Sequence, residues 1–382
     1  MNLFKLLAGL FVFLLITHCN QEKKTNVKKE DIEEKTEQFQ DKIENAKTFL
    51  QKKPEDISTP DGMVWIPGGI FSIGAVPHDT MAMNHEKPAH TVAVDGFFID
   101  ITEVTNSQFN RFVDATKYKT IAERSIDWEE MRKQLPEGTP KPHDSIMQPG
   151  SLTFKKTKDA VTNLYDFSQW WNWTIGANWK HPNGPNSTIV GKDNEPVVHI
   201  AYEDAQAYCE WAGRRLPTEA EWERAAKGKN ATSTYFWGDD DSQLAKMANT
   251  WEGQFPVENT KVDGFEARAP VKSFAPNDFG LYDMAGNVWE WTSDWYNTNY
   301  YQELSNKNQV VRNPKGAQNP FNNNDPYARE KVMKGGSFLC NASYCANYRI
   351  SARMATSLDS STEHLGFRTV ASIDMMKVSE EK

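Results

Sequence analysis

The segment Lys334-Gly-Gly-Ser-Phe-Leu-Cys340-Asn-Ala-Ser-Tyr-Cys345-Ala-Asn-Tyr-Arg349 places two cysteines five positions apart, shortly after a Gly-Gly turn. The 382-residue chain has only two further cysteines, Cys19 and Cys209. A pair this close is compatible with three chemistries: a strained local disulfide, a soft metal such as Cu(I) held by two thiolates, or thiol redox chemistry. The spacing alone does not choose among them.

The composition narrows the classes of fold and function. The formal net charge is −9 and no basic stripe offsets it, which argues against non-specific nucleic-acid binding. Four cysteines are too few for a disulfide framework. Aromatic residues supply much of the apolar volume, and 22 Gly with 19 Pro favour a loop-rich fold over a helical bundle.

The first 19 residues are typical of an export signal. A basic residue precedes an apolar run that is short for a membrane span. Cys19 follows directly, which resembles a bacterial lipoprotein signal with Cys19 as the acylated mature N-terminus, although His18 stands where a small residue is expected. An uncleaved anchor or a simple signal peptide is the alternative. The protein is therefore expected on the cell envelope of a bacterium, anchored by lipid and facing the periplasm or the exterior.

Beyond the signal, residues 20–60 are rich in Glu, Lys, Gln and Asp and predict a charged tether. Apolar residues recur every three to seven positions at Ile32, Phe39, Ile43, Ala46 and Leu50, so part of the tether is expected to be an amphipathic helix or a short coiled stalk. A solvated helix without a partner is the alternative. A single domain is expected over 61–375, followed by a tail at 376–382.

Within the domain the sequence predicts short elements. Val64–Ile66 and Ile70–Ile73, joined by Pro67-Gly-Gly69, predict a hairpin, and Thr91–Val94 predicts a strand. Capping-box patterns predict helices that begin after Thr105 and Thr218, and a further helix is predicted over Ala201 to Trp211.

The cysteine segment resembles the active-site region of formylglycine-generating enzymes, the sulfatase-modifying factors. Further stretches carry the same resemblance from about Met63 to Ser372: Glu195-Pro-Val-Val-His199, Ala207-Tyr-Cys-Glu-Trp-Ala-Gly-Arg-Arg-Leu-Pro-Thr-Glu-Ala-Glu-Trp-Glu223, Gly286-Asn-Val-Trp-Glu-Trp-Thr-Ser-Asp-Trp295, Ser351-Ala-Arg353 and Leu365-Gly-Phe-Arg368. The Trp-rich blocks are common to a wider superfamily with members of other function. The cysteine pair is the feature that points to the enzyme.

The resemblance implies a loop-rich α+β fold, distantly related to C-type lectins and ordered by calcium. It also implies an oxidoreductase that uses O2, copper and a thiol reductant to convert the cysteine of a sulfatase Cys-x-Pro-x-Arg sequence into formylglycine. In the implied mechanism the substrate thiolate joins Cys340 and Cys345 on Cu(I). Loss of hydrogen from the substrate β-carbon gives a thioaldehyde, and hydrolysis then releases sulfide.

The same resemblance assigns roles around the cysteines. Ser337 is expected to pass a proton to reduced oxygen, or merely to form the turn. Tyr344 and Trp289 are expected to shape the oxygen and substrate site, although core packing would explain them equally well. His364 is expected at the edge of the site, where relatives often carry Asn.

Two carboxylates are implied as acceptors for the substrate arginine, because a guanidinium pairs well with carboxylates. They are Glu103 and Asp127; an ordinary capping or surface role is the alternative for each.

Two calcium sites are also implied. Side chains of Asn249 and Asp263 with carbonyls of Thr250 and Phe265 would form the first site. Asp283 and Glu290 with carbonyls of Gly286 and Val288 would form the second, unless Asp283 and Glu290 only stabilise a turn.

Two rival functions stay open at this level. A non-catalytic envelope lipoprotein could use the same fold as a scaffold or ligand-binding module, although both cysteines are retained here. An iron-dependent sulfoxide synthase of the wider superfamily would need a histidine-rich helical domain ahead of the fold, and residues 20–60 have no suitable histidines.

Overall fold

Short strands in four small sheets form the framework of the fold. The computed structural model describes residues 50–164, 166–229, 232–307 and 309–380. The strands of this described part are β1 Met63–Ile66, β2 Gly69–Ile73, β3 His90–Val94, β4 Phe97–Asp100, β5 Gly150–Phe154, β6 Trp171–Ile175, β7 Trp289–Trp295, β8 Val311–Arg312, β9 Glu330–Lys334, β10 Met354–Ser357, β11 Leu365–Gly366 and β12 Val370–Ala371.

The sheets join distant parts of the sequence. Their strand orders are β1-β4-β12, β10-β9-β7-β11, β2-β3-β8 and β5-β6. The second sheet brings the two functional blocks together, because β7 from the Trp-rich block pairs antiparallel with β9, which leads into the cysteine segment. Strand β11 from the Leu365–Arg368 block pairs with β7 in parallel on its other side.

The predicted hairpin of Val64–Ile66 with Ile70–Ile73 is wrong. Both segments are strands, but β1 pairs with β4 and β2 pairs with β3. The apolar residues of each segment are buried against different partners, so Pro67-Gly-Gly69 connects two sheets and does not close a turn between neighbours. The predicted strand Thr91–Val94 is confirmed as most of β3.

The helices of the described part are α1 Asn106–Thr116, α2 Trp128–Met131, α3 Tyr202–Trp211, α4 Glu219–Lys227, α5 Leu244–Met247, α6 Tyr300–Asn306 and α7 Ile373–Glu380. The three predicted helices are confirmed as α1, α3 and α4. Thr105 and Thr218 cap α1 and α4 through reciprocal bonds with Gln108 and Glu221, which satisfy backbone N–H groups that a helix start leaves free.

Residues 50–60, predicted as the end of the tether, pack on the domain. The Leu50 carbonyl accepts hydrogen bonds from Gly68 N and Gly96 N, and Asp95 accepts from Leu50 N. Ile57 is buried with Phe98 in a small apolar cluster. At the other end, α7 continues through residue 376, where the tail was expected to begin. The signal segment, Cys19 and the tether up to residue 49 lie outside the described residues.

Two apolar cores contain residues of the cysteine segment. The main core contains Trp222, Trp289 and Trp291 together with Cys340. A second, mainly aromatic core consists of Trp170, Trp251, Phe255, Phe338 and Leu339, with Tyr344 packed against it. Long irregular connections link these elements, so the predicted mixed, loop-rich α+β character is confirmed. No helix in the described part is long and apolar enough to cross a membrane.

Candidate active site

The two cysteines of the opening segment face each other without a covalent bond. The Sγ atoms of Cys340 and Cys345 are 2.9 Å apart, and both residues are free thiols. Cys340 is buried, with 1 % of its surface exposed, whereas Cys345 is half-buried. The pair therefore has an inner sulfur and an outer one that is more accessible from solvent.

A tight turn holds the inner cysteine. The backbone N–H of Cys340 donates to the Ser337 carbonyl, and the Ser337 N–H lies 3.4 Å from Cys340 Sγ. Ser337 is fully buried, and its Oγ accepts from Leu339 N. Trp251 N donates to the Cys340 carbonyl, while Asn341 Nδ2 returns a bond to the Trp251 carbonyl. The segment is thus fixed from both sides.

The start of the segment is anchored in the protein interior. Lys334, the last residue of β9, is fully buried, and its Nζ lies 3.3 Å from Glu223 and 3.8 Å from Glu219, both on α4. Burying an ammonium group costs much free energy unless it is paired, so the two carboxylates explain its position. The chain then turns through Gly335 and Gly336, both at positive φ.

The two thiols differ in acidity. Burial, and the hydrogen bond with Cys345, raise the pKa of Cys340 well above its ordinary value. The hydrogen bond from Cys340 lowers the pKa of Cys345, with help from Asn347, whose Nδ2 lies 3.0 Å from Cys345 Sγ. Cys345 is therefore the thiol that ionises first. Cys209, elsewhere in the domain, is a buried free thiol whose burial raises its pKa.

An aromatic wall lies beside the pair. The Tyr344 ring stacks on Phe255 with centroids 4.6 Å apart and meets Trp170 edge-on at 5.7 Å. Burial raises the pKa of the Tyr344 hydroxyl, and the two thiols add to the shift. Tyr344 thus lies beside the cysteines, as predicted. Trp170 and Phe255 complete the wall and were not predicted, because sequence spacing gives no sign that they lie near residue 344.

Trp289 and His364 come together at neighbouring strands. Trp289 N donates to the His364 carbonyl, and the Trp289 side chain is buried in the main core. The His364 ring lies 4.9 Å from the Trp171 ring, and its Nδ1 is 2.6 Å from Thr362 Oγ1. Burial, with nearby Arg268, lowers the pKa of His364 to about 3, so its ring is neutral at pH 7.

Glu103 lies where a docked peptide cannot contact it. Its side chain is fully buried, and its Oε1 accepts from Asn287 Nδ2 at 3.0 Å. Burial and the neighbouring carboxylates Asp283 and Glu290 raise its pKa well above the usual range. The structure therefore does not bring Glu103 to a surface together with Asp127, as recognition of one arginine by both carboxylates would require.

Asp127 is exposed and caps α2. Its Oδ1 accepts from Glu129 N and Glu130 N. The same residue lines a cavity of about 580 Å³ together with Arg124, Glu130, Trp173 and Glu203. The capping role and a binding role are compatible, because Asp127 Oδ1 makes the capping bonds and the carboxylate has a second oxygen.

The residues of the first predicted calcium site lie together. Asp263 accepts from Thr250 N with one oxygen and from Phe265 N with the other. Asn249 is fully buried, and its Oδ1 has no hydrogen-bond partner among the described residues. A buried polar atom without a partner is rare in folded proteins, so this oxygen is suited to an external ligand.

The second predicted calcium site differs from expectation. Asp283 is buried with an unpartnered Oδ1 as far as the described residues show. Glu290, however, accepts from Arg368 with both oxygens at 2.6 and 2.7 Å, and from Trp222 Nε1 at 2.7 Å. Three donors leave little of a carboxylate for a metal.

In the described part of the chain, no group of three or more His, Cys, Asp or Glu side chains has a metal-binding arrangement. A calcium ion would depend on backbone carbonyls, and a copper ion on the two thiols.

Asn347 contacts Cys345 but was not predicted as a site residue. Its place two residues after Cys345, in the segment quoted first, was the available signal.

Comparison with known proteins shows the family of the chain. A family model described as "Sulfatase-modifying factor enzyme 1-like domain" matches residues 48–373. The chain belongs to the sulfatase-modifying factor family. This family match starts twelve residues before Pro60, in keeping with the packing of Leu50 and Ile57 on the domain.

Individual relatives of this family include active and inactive proteins. The formylglycine-generating enzyme of Thermomonospora curvata is 41 % identical over 84 % of this chain and 96 % of its own. A mouse protein named inactive C-alpha-formylglycine-generating enzyme 2 is 35 % identical over 81 % of this chain and 85 % of its own. The solved structure of PvdO from Pseudomonas aeruginosa shares the fold, with a TM-score of 0.55 at 20 % identity over 84 % of this chain and 98 % of PvdO. Membership in the family alone therefore does not decide activity.

Proposed function

We propose that the protein oxidises the cysteine of sulfatase Cys-x-Pro-x-Arg sequences to formylglycine, using copper and O2. The observation that carries the proposal is the pair of free thiols, Cys340 and Cys345, with sulfur atoms 2.9 Å apart and one of them accessible. The names of curated relatives, such as the Thermomonospora enzyme, support the product and the class of substrate.

The donor set fits Cu(I). Two thiols side by side offer soft ligands, which select this ion over hard cations. Cys345 is the first to ionise and Cys340 lies in a dry environment. When bound, copper would supply the redox chemistry with O2. A thiol reductant from outside the protein is needed, because oxidation of one thiol to an aldehyde does not consume all four oxidising equivalents of O2.

Residues of the chain prepare the two sulfurs for this role. Asn347 Nδ2 donates to Cys345 Sγ and stabilises its thiolate. Ser337 holds Cys340 through its backbone N–H. The Ser337 hydroxyl keeps its proton available for transfer, since its oxygen serves as acceptor for Leu339 N.

The aromatic wall excludes water from one side of the pair. Tyr344, Phe255 and Trp170 pack closely, and a dry site prevents hydrolysis or leakage of reactive species. The peptide then approaches Cys345 from its exposed side.

Recognition of the substrate arginine belongs to Asp127. Its cavity also holds Glu130 and the exposed face of Trp173, which suit a planar cation. Glu103 is not included in this proposal, because it is fully buried.

The test uses purified copper-loaded protein, air, a reductant and a Cys-x-Pro-x-Arg peptide. We expect a mass change from thiol to aldehyde, and aldehyde-specific labelling of the product. A peptide with Ser in place of Cys is the control and stays unchanged. If the Cys peptide also stays unchanged although the protein binds both copper and peptide, the non-catalytic scaffold function replaces the enzymatic one.

Calcium is proposed at the first site only. The unpartnered Asn249 Oδ1 and the Asp263 carboxylate supply hard oxygen donors of the type that Ca²⁺ binds. The second site does not fit as predicted, because Arg368 already neutralises Glu290.

Envelope localisation through lipid on Cys19 is proposed from the signal-like sequence alone. An exported enzyme of this kind would act on sulfatases that cross the same membrane.

A further inference from the structure

Strand β6 pairs with another strand on one side only. Its antiparallel partner is β5, with Leu152 opposite Trp173, and no other strand of the described chain pairs with it. The other side of β5 is occupied, because Leu152 N donates to the Ser361 carbonyl and the Leu152 carbonyl accepts from Glu363 N. Strand β6 is therefore the open edge of this small sheet.

The register shows that every second residue of β6 turns its backbone N–H and C=O away from β5. Lys155 N donates to the Trp170 carbonyl, and Gly176 N donates to the Pro149 carbonyl. Between these two ends, bonded and unbonded positions of the antiparallel pair alternate. The outward-facing residues are Trp171, Trp173 and Ile175. Within the described part of the chain, no hydrogen bond to their backbone groups is found.

This edge lacks the features that usually protect an exposed strand. Such strands commonly contain a charged side chain, a proline or a bulge that prevents further pairing. Strand β6 has the sequence Trp-Asn-Trp-Thr-Ile and pairs with β5 in an unbroken register. Trp173 and Ile175 are 42 % and 47 % exposed. An open edge of this kind is suited to bind an extended peptide as an additional strand.

The edge connects the two ends of the proposed substrate site. Trp170, directly before β6, meets the Tyr344 ring with centroids 5.7 Å apart, and Tyr344 precedes Cys345. Further along the strand, Trp173 lines the cavity that also contains Asp127. A chain that lies along β6 in the same direction therefore passes from the outer thiol toward the acidic cavity.

The spacing of the substrate motif fits this edge. In an extended chain the Cys, Pro and Arg of Cys-x-Pro-x-Arg point to one face, because successive side chains alternate. The motif spans four residue steps, about 13 Å, which is also the span from Trp171 to Ile175. Proline has no N–H to donate, so in a strand it suits a position whose nitrogen faces away from the neighbouring strand.

We infer that the substrate peptide binds as a parallel strand on the open edge of β6, with its Cys opposite Trp171, its Pro opposite Trp173 and its Arg opposite Ile175. The inference rests on the proposed function and specifies how that substrate is held. In this register the two x residues form the hydrogen bonds with β6, and the amides of Cys, Pro and Arg point away from it. The Arg then lies toward Asp127, which matches its charge. An antiparallel peptide would place the Cys and the Arg in the opposite order.

The experiment measures the dissociation constant of the metal-free protein for a fluorescent peptide with residues on both sides of the motif. Ser replaces the motif Cys, so that binding is measured without oxidation. N-methylation of either x residue removes a donated hydrogen bond and should weaken binding at least about tenfold. N-methylation of the Ser or of the Arg is the matched control and should have little effect. Equal losses at all four positions, or no loss at the x residues, overturn the inference.

A protein variant tests the same edge from the other side. Ile175→Pro removes the outward N–H of residue 175 without removing a bond to β5, and Ile175→Val keeps that N–H. The proline variant should bind the peptide several-fold more weakly than the valine variant, and equal binding by two folded variants contradicts the inference. The methylated peptides decide the matter if Ile175→Pro does not fold. A peptide that shows the expected methylation pattern but is not oxidised by the copper-loaded protein overturns the proposed function and leaves the binding mode standing.

Discussion

Cys340 and Cys345 are close neighbours with opposite surroundings. Cys340 is packed in the main core, and its burial favours the neutral thiol. Cys345 accepts from Cys340 and Asn347 and therefore favours the thiolate. The arrangement resembles other coupled pairs in which one group is acidified at the expense of its partner. If copper binds here as proposed, Cys345 would be the first sulfur to ligate it, and Cys340 would lose its proton on metal binding.

Replacing either sulfur should abolish peptide oxidation while the fold persists. Cys340→Ser and Cys345→Ser each remove one soft ligand but almost no volume, so the free energy of unfolding should fall by only about 0.5–3 kcal/mol. Oxidation is followed by mass spectrometry and folding by thermal denaturation. Cys209→Ala removes a buried thiol elsewhere and should keep full activity. Wild-type turnover by either serine variant would refute the two-thiol mechanism.

Asn347 should control the acidity of Cys345. Asn347→Leu removes the amide donor 3.0 Å from Cys345 Sγ, so the pKa of Cys345 should rise. Thiolate reacts and thiol does not, so alkylation of Cys345 in the metal-free protein falls as pH drops through this pKa. The alkylation curve of the variant should therefore lie at higher pH than that of the parent. Ser343→Ala, on the exposed side of the segment, should leave the curve in place; identical curves for all three proteins would rule out this role.

The sequence was sufficient to predict that the two cysteines lie in the site, but not which groups surround them. Cys340, Ser337 and Tyr344 were found because they lie in one segment, and the structure brings them together. The motif around Glu103 predicts a substrate contact, but it gives no information about burial. In the structure Glu103 is fully buried beside other carboxylates. Burial depends on contacts between distant residues, and one sequence does not give these.

At the level of elements, the turn between β9 and the cysteine segment decides the position of the site. Gly336 has φ +75°, and a Cβ there would lie 2.9 Å from the Asn347 carbonyl carbon and from Tyr348 N. The irregular segment before Cys340 and the one after Cys345 are therefore in close contact at Gly336. The close contact places Asn347 where it can reach Cys345.

Gly336→Ala should lose both stability and activity, because the added methyl group must push Asn347 away. We expect a loss of about 1–3 kcal/mol in the free energy of unfolding and a strong fall in peptide oxidation. Gly191→Ala is the matched control, since Gly191 has φ +78° but open space around its Cβ position. Denaturant unfolding compares the two variants. Equal losses would mean that strain in φ, and not the contact with Asn347, sets the requirement for glycine.

Helices and strands that carry a short sequence motif were predictable, but the partner of each strand in its sheet was not. Helices α1 and α4 were identified because capping boxes lie within four consecutive residues. The strands around Pro67-Gly-Gly69 were identified as well, but their partners β4 and β3 lie further along the chain. Strand pairing depends on contacts between residues that are distant in sequence. A turn motif between two apolar runs gives no information about those contacts.

On the scale of the whole molecule, long irregular connections link the short strands and helices. The predicted relation to C-type lectins stays a prediction. At the proposed calcium site, Asp263 accepts from the backbone N–H groups of residues 250 and 265 and so links two loops. Asn249, next to residue 250, has a buried Oδ1 without a partner among the described residues. Positive charge at this point would satisfy both side chains.

Removing calcium should lower the melting temperature of the whole domain. A ligand that binds only the folded state contributes about 2.7 kcal/mol when its free concentration is a hundredfold above Kd. Scanning calorimetry with and without a chelator measures the shift, and added calcium should reverse it. Asn249→Ala should lose the calcium-dependent shift, and it should also melt below the chelated parent because the Asn249 Nδ2 bonds to the Ala267 carbonyl and Asn287 Oδ1 are lost. Asn110→Ala on α1 should keep the response. A calcium-independent melting temperature of the parent would remove the proposed ion.

We expect Cys19, and not the folded domain, to determine where the protein is located. If Cys19 is acylated after signal cleavage, several acyl chains on one residue anchor a soluble domain, whereas a single chain binds weakly. Cys19→Ala should therefore appear in the soluble envelope fraction, and the purified domain should oxidise peptide at the parental rate because Cys19 precedes the family match by 29 residues. Mass spectrometry of the N-terminus identifies the lipid in the parent. Recovery of Cys19→Ala in membranes with its leader still attached would support the uncleaved anchor, the outcome that His18 in the position before the cysteine favours.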